Sequence, residues 1–407
     1  MRISSAQYFN MNVQTMSNQQ AQLSQIYAEI SSGVSLSTPS DNPLGAAQAV
    51  QLSSTATTLA QYTTNQTSAL ASMQQEDSTL GSVNTVLTTI HTLVLRAGDG
   101  SLTDSDRGAL ATQLTSLRSQ LMTLANSTDP QGNYLFAGYQ SGAQPYSTTA
   151  SGAVTYSGDT GSPAVQITGS RTLQTGDNGL AIFGSVASIG TSAVPAATAG
   201  NTGTGVVSSV SLTNPTDPTN ADTYKINFVS GTTYTVSQTN PATGATSTSP
   251  AQPFTAGSAI TVGGQSVSIS GAPNSGDSFT VTPATQGSMD VFANLSQLIT
   301  TLQTPLTPGA QTASFQSQLT TSMTQLENTM NNVQTAQATV GGRMNEVQAL
   351  QTVTQTNTLQ TASNLADLTQ TDMVKTIGQY TLTQNALQAA QQAFAKIQNI
   401  SLFQYLN

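Results

Sequence analysis

The chain has no cysteine and no tryptophan, and a single histidine. Without thiols there is no disulfide framework and no thiolate metal site, and thiol redox chemistry is excluded. Charge is also scarce: Asp, Glu, Lys and Arg make up 7% of the 407 residues, against roughly a quarter in ordinary soluble domains. The balance is acidic, with a formal net charge of -9. No basic stripe is available to neutralise phosphates or to hold the chain on an acidic bilayer, so the expectation is no nucleic acid and no membrane insertion. No apolar run approaches the roughly 18 residues of a membrane span. The opening residues lack a basic segment followed by an apolar one, so the route of the chain, if it is exported, is not the cleaved-signal one.

Ser, Thr, Gln, Asn and Ala take the place of the missing charges. Such surfaces can meet other subunits without desolvating ions. The length allows about two to four compact units, and hydrophobic periodicity assigns helices to both ends of the chain. From Leu59, residues Tyr62, Gln66, Ala69, Met73, Glu76, Leu80, Val83, Leu87, Ile90 and Val94 alternate three- and four-residue steps. That is the seam of a coiled coil, in which the polar Gln66 and Glu76 set register or partner. A second helix starts after Thr103, where Thr103 and Asp106 have the spacing of a capping box, and its seam runs through Leu110, Leu114, Leu117, Leu121 and Leu124. Leu319, Met323, Leu326, Met330, Val333, Gln337, Val340, Met344 and Val347 repeat the pattern near the other end.

Two weaker amphipathic stripes lie outside these seams. One is Val13, Met16, Leu23, Ile26 and Ile30; the other is Met373, Ile377, Tyr380, Leu387, Phe394 and Ile397. An isolated helix with a narrow apolar stripe and many Ser and Thr positions gains little from propensity, so these helices are expected to order when neighbouring subunits cover them. With Leu402 and Phe403 at the end of the chain, they form the candidate subunit interface. The middle reads as strands. Thr155–Asp159 and Ala164–Ile167 are short strands split by a Gly-rich turn. Tyr224, Ile226 and Phe228, then Ser230-Gly231, then Tyr234 and Val236 alternate as a hairpin; Ile260, Val262, Gly263-Gly264, Val267 and Ile269 form a second; Phe279 and Val281 mark a further strand. Gly, Thr, Ser and Pro clusters over 188–220 read as a linker.

The expected fold class is therefore α + β: an elongated antiparallel coiled-coil-like helical bundle built from both chain termini, with a central β-rich domain inserted. The expected divisions are terminal helices over 1–44 and 361–407, a bundle over 45–130 and 288–360, a β-hairpin layer over 131–190, and an inserted β domain over 191–287. Catalytic and cofactor-binding residues are not expected. His91 lies beside a seam position and reads as a packing residue, since a metal site needs further ligands at set spacing. Asp104 and Asp106 suit the positive end of a helix dipole. Asp159, Asp177, Asp222 and Asp277 could be nominated for acid-base work, yet all stand beside small residues in turns, where Asp serves the backbone. There is no phosphate loop and no nucleophile elbow.

The two ends carry a resemblance. Met1-Arg2-Ile3-Ser4, Ser31-Ser32-Gly33, and above all Pro39-Ser40-Asp41-Asn42-Pro43 followed by Ala46-Ala47, together with Leu365-Ala366-Asp367, Asp372, Leu387-Gln388-Ala389-Ala390 and the ending Ser401-Leu402-Phe403-Gln404-Tyr405-Leu406-Asn407, resemble the flagellin and hook-associated superfamily. Pro39, Ser40, Asp41 and Pro43 are the family signature. The resemblance implies a non-enzymatic structural subunit of the bacterial flagellum, without cofactor, exported unfolded by the flagellar type III apparatus. It implies self-assembly in a helical lattice, contacts with hook-associated protein 1 and with flagellin, and an export chaperone at the C-terminal region. A filament-forming flagellin, or a surface-binding module on a helical stalk, are the alternative expectations.

Overall fold

The computed structural model of the chain describes residues 5–404 other than Asp41, Ser151 and Ser188, with the side chains of Ser5, Ala6, Tyr8 and 397–404 outside the description. In chain order the helices α1 (Ser5–Ser32), α2 (Pro43–Ala97) and α3 (Asp104–Ala125) come first. Strands β1 (Tyr146–Thr148), β2 (Val154–Tyr156), β3 (Ala164–Thr168) and β4 (Arg171–Gln174) and the short helix α4 (Gly179–Phe183) follow. Next are β5 (Val194–Ala197), β6 (Val206–Val207), β7 (Ser211–Leu212), β8 (Thr223–Ser230), β9 (Thr233–Thr239), β10 (Thr246–Thr248), β11 (Gln252–Pro253), β12 (Ala259–Val262), β13 (Gln265–Ser270) and β14 (Ser278–Thr282). Helices α5 (Val291–Gln303), α6 (Ala310–Thr369) and α7 (Met373–Gln404) complete the chain. Two compact units result: a terminal unit of 1–64 and 350–407, and a central unit of 65–349. The architecture is α + β, with long helices from both halves of the chain paired and antiparallel sheets between them in sequence.

Helices begin where a side chain replaces the missing backbone acceptor. Asn42 Oδ1 accepts from the Gly45 N–H at 2.9 Å, and Pro43 fills the first helical position of α2. Thr103 and Asp106 close a reciprocal capping box on α3, so Asp serves where Glu is usual. Asp290 caps α5, and Asp372 accepts from the Val374 and Lys375 N–H groups at 3.1 Å to start α7. The many helical threonines bond back to their own turn. Thr85, Thr88, Thr89 and Thr92 each donate to the carbonyl four residues earlier. Hydroxyl-rich helices thereby satisfy their side chains without charged partners.

In the central unit the predicted seams are the buried faces. Met73, Leu80, Val83, Leu87 and Ile90 of α2 are fully enclosed, as are Val333, Val340 and Val347 of α6. The two helices run antiparallel: Gly81 lies beside Gln337, His91 beside Glu327, and Gly98 beside Leu319. Helix α3 packs on α5. Phe136, Phe183 and Phe292 and the largely buried Tyr146 form an aromatic cluster, with centroids 5.6 Å apart for Phe136–Phe183 and 5.1 Å for Tyr146–Phe292. Burial raises the Tyr146 hydroxyl pKa.

The inserted strands form a six-stranded antiparallel sheet, β10-β9-β8-β14-β5 with β11 also on β9, and a four-stranded one, β12-β13-β6 with β7 also on β13. Tyr224, Ile226 and Phe228 alternate inward along β8 and join Phe279, Val262, Val267 and Ile269 in one core. Both predicted hairpins are present, the second turning at Gly263 with φ +60. The short strands of the hairpin layer each pair across their own adjacent turn, β2 with β1 and β3 with β4. One expectation needs correction. The stretch 188–220 is not simply a linker, since it supplies β5, β6 and β7 as edge partners to the sheets.

In the terminal unit α1 and α7 are antiparallel, with Phe9 against Phe394 at 5.1 Å and Tyr27 against Tyr380 at 6.5 Å. The connectors between helices are stitched together. Gly33, at φ 71, ends α1; Thr371 N donates to Gly33 O at 3.0 Å and Ser35 N to Thr369 O at 2.9 Å, flanking a bridge between Val34 and Gln370.

Candidate subunit interface

Two helices in contact share a single stripe, and each residue on that stripe keeps part of its surface in water. The terminal unit shows the consequence. Among the described residues Leu387 is its one buried apolar side chain, accompanied by the buried threonines Thr354, Thr361 and Thr376. Leu23, Ile26, Ile30, Tyr380 and Phe394 are half-buried, whereas Val13, Met373 and Ile377 are exposed. Ile397, Leu402 and Phe403 lie on α7, but their side chains fall outside the described residues. In the signature segment Pro39 and Ser40 are exposed in the α1–α2 connector, Asp41 is outside the described residues, and Pro43 opens α2.

The sequence stripes did not contain all of the exposed apolar surface. Of the nineteen large apolar residues exposed among the described residues, thirteen belong to the terminal unit and six to the larger one. Val374 is 86% exposed, Leu359 73%, Leu382 71% and Val50 71%. Val374 and Leu382 lie on α7 outside its predicted stripe, while Val50 and Leu359 lie on the parts of α2 and α6 that belong to this unit. Only Arg2, Glu29, Asp41, Asp367, Asp372, Lys375 and Lys396 carry charge in this unit. A surface so poor in ions and so rich in exposed Val, Leu, Ile and Met is chemically suited to helix-on-helix burial against further subunits.

The residues weighed for chemistry have structural partners. His91 Nε2 stands 3.6 Å from Glu327 on the facing helix. Asp104 pairs with Arg107, and hydrogen bonds from Thr103 hold the Asp106 carboxyl below the usual range. Asp277, buried, accepts from the backbone N–H groups of Thr202, Gly203 and Asn274, while Asp159 accepts from those of Tyr139 and Gly161. Asp222 accepts from the amides of Gln238 and Asn240. Asp177 departs from the turn reading: it forms a bidentate pair with Arg343 of α6 at 3.1 and 3.2 Å. Gln66 and Glu76, read as polar interruptions of a helix seam, face the β-hairpin layer; Gln66 donates to Ile167 O at 2.8 Å, and Glu76 accepts from Asp177 N at 3.1 Å. No cluster of three metal-ligating side chains occurs among the described residues, and no helix there is long and apolar enough to cross a membrane.

Comparison with known proteins agrees with this arrangement. The family described as the bacterial flagellin N-terminal helical region matches residues 3–141. Flagellar hook-associated protein 3 of Salmonella typhimurium is 28% identical over 406 residues, covering 99% of both chains. The crystal structure of flagellar hook-associated protein 3 from Legionella pneumophila superposes with a TM-score of 0.69 at 27% identity, over 78% of this chain and 98% of that one. A crystal structure of the flagellar junction protein FlgL from the same organism gives 0.65 at 25% identity, over 79% and 100%. The full-length match and the shared fold make the chain similar, end to end, to flagellar hook-associated protein 3 and the junction proteins of the flagellin family, structural proteins of the extracellular flagellar hook-filament junction.

Proposed function

We propose that the chain is an adaptor whose copies assemble with one another and join hook-associated protein 1 on one side to flagellin on the other. In this reading it is exported by the flagellar type III apparatus, with an export chaperone on its C-terminal region. Residues 1–44 and 361–407 form the inner, assembly-ordered layer, 45–130 and 288–360 the bundle, 131–190 the hairpin layer attached to it, and 191–287 the outward domain. The interface is formed by Val13, Leu23, Ile26, Ile30, Met373, Ile377, Tyr380, Leu387, Phe394, Ile397, Leu402 and Phe403. The observation that supports this reading best is the charge-poor apolar surface of the terminal helix pair, which has too few partners within one chain.

Deletion of the gene, followed by electron microscopy and a blot for flagellin in the medium, tests the adaptor role. Hooks without filaments and flagellin lost to the medium are expected; filaments that persist would favour a redundant flagellin or a surface module. Leu387→Asp or Phe394→Asp places a charge in the helix contact. Either variant should fail to enter the flagellum while the outer β domain stays folded, and normal incorporation would remove these positions from the interface.

A further inference from the structure

The hairpin β3–β4 lies against α2 and α6 of the central unit, and its attachment is largely polar. Asn65 and Gln66 of α2 donate to Gln166 O and Ile167 O at 2.7 and 2.8 Å. Arg171 of β4 pairs with Glu346 of α6 at 2.7 Å, in an exposed position that salt will screen. Asp177, three residues beyond β4, engages both helices: its N–H donates to Glu76 Oε1 of α2, and its carboxylate takes the guanidinium of Arg343 of α6.

The charges of this cluster do not balance if every group is ionised. Two buried or nearly buried carboxyl groups share one arginine, and that arginine is spent on Asp177. Glu76 is 2% exposed, and its Oε2 has no hydrogen-bond partner. The same side chain lines a cleft of about 290 Å³, where Asp129, Tyr134 and Tyr139 supply the remaining titratable groups, none of them cationic. An unpaired carboxylate held there beside a second carboxylate is costly, and a neutral carboxyl is not. Burial first, and then the charge of Asp177, push the Glu76 pKa up to about 8.

We propose that Glu76, Asp177 and Arg343 form a proton-held latch fastening the β3–β4 hairpin to α2 and α6, and that alkali opens it. The proton leaves the Glu76 carboxyl to hydroxide in the cleft. The resulting carboxylate, buried and short of partners, repels the Asp177 carboxylate by more than its stronger Asp177 N–H hydrogen bond and the pull of Arg343 offset, and it draws water under the hairpin. The sign follows from linkage. A carboxyl whose folded pKa lies above its unfolded value supports the folded state fully at acid pH, and that support is lost as pH rises through the folded pKa.

The chain has four glutamates, so carboxyl-labelled glutamate resolves the titration by carbon NMR on the full-length protein. One resonance should titrate near pH 8 and vanish in Glu76→Gln. Amide exchange over 164–174, corrected for its intrinsic rate, should accelerate about tenfold between about pH 7 and about pH 9.5 in the wild type and stay level in Glu76→Gln. Exchange over 223–239, in the outer sheets, should stay level in both. A wild type in which all four glutamates titrate in the ordinary carboxylate range overturns the latch, whether or not the variant folds. So does a Glu76→Gln variant whose hairpin accelerates as the wild type does.

Discussion

The terminal and central units are built from the same residue types and the same three- and four-residue apolar spacing, yet they bury that spacing to very different degrees. In the central unit Leu80, Leu87 and Ile90 of α2 and Val333, Val340 and Val347 of α6 have no exposed surface. In the terminal unit, among the described residues, Leu387 is the one large apolar side chain buried, while Val374 and Leu382 of the same helix stand in solvent. The difference lies in the number of neighbours and not in the helices. Around the central stripes are α3, α5, the hairpin layer and the inserted sheets, which close the space that two helices leave open. The terminal stripes have one another and little else. An amphipathic pattern states that a face needs covering; it does not state whether the cover belongs to the same chain.

This contrast breaks most visibly where the central unit owes its closure to aromatic packing. Phe292→Ala removes a side chain that is 1% exposed and touches Tyr146 and Phe183. The loss should be about 3–5 kcal/mol, from transferred surface and residual cavity together. Denaturant unfolding followed by tyrosine fluorescence, with exchange to localise the change to residues 65–349, measures it. A loss below about 1 kcal/mol would mean the cluster relaxes around the gap and that closure comes from elsewhere.

A smaller effect is expected at the start of α3. Thr103→Ala deletes the acceptor for Asp106 N, and Asp106 loses its hydroxyl partner as well. The expected cost is about 1 kcal/mol, read as faster exchange in the first turn of α3 with the α2–α6 seam unchanged. If the whole central unit loosened instead, the cap would be holding the α2–α3 connection and not one helix end.

How much of this could be read from residues alone follows the range of each interaction. The seams, the hairpins at 224–236 and 260–269, and the capping box were legible because each is written in neighbouring positions, as a repeat or a turn. The partners of Glu76 and Gln66 were not, since nothing in α2 says that residues 166–177, about a hundred positions later, will lie on that face. The aromatic cluster gathers Phe136, Tyr146, Phe183 and Phe292 from segments with no common period. The strand partners over 188–220 were hidden for a related reason: β6 and β7 are two residues each and exist only because β13 offers them an edge. At the terminal interface the stripe was legible and its exposure was not, because exposure depends on what else packs there.

The smallest expected effect on the folded monomer separates the two units most sharply. Val374 is 86% exposed at the start of α7, so within one chain it buries almost nothing. Val374→Ser should change monomer stability by no more than about 0.5 kcal/mol, the range of ordinary surface substitutions. If the terminal surface is covered by other subunits, the same change removes apolar area from the contact and exposes the assembly to a polar hydroxyl, with a cost repeated at every copy. Incorporation into flagella should then fall while the thermal midpoint of the purified chain stays put. Exposed Val229 of β8, in the central unit, supplies the matched control: Val229→Ser should leave both measurements unchanged. Equal incorporation of the two variants would mean that the exposed apolar surface of α7 is not what the assembly covers, and the contrast between the units would then be one of packing alone.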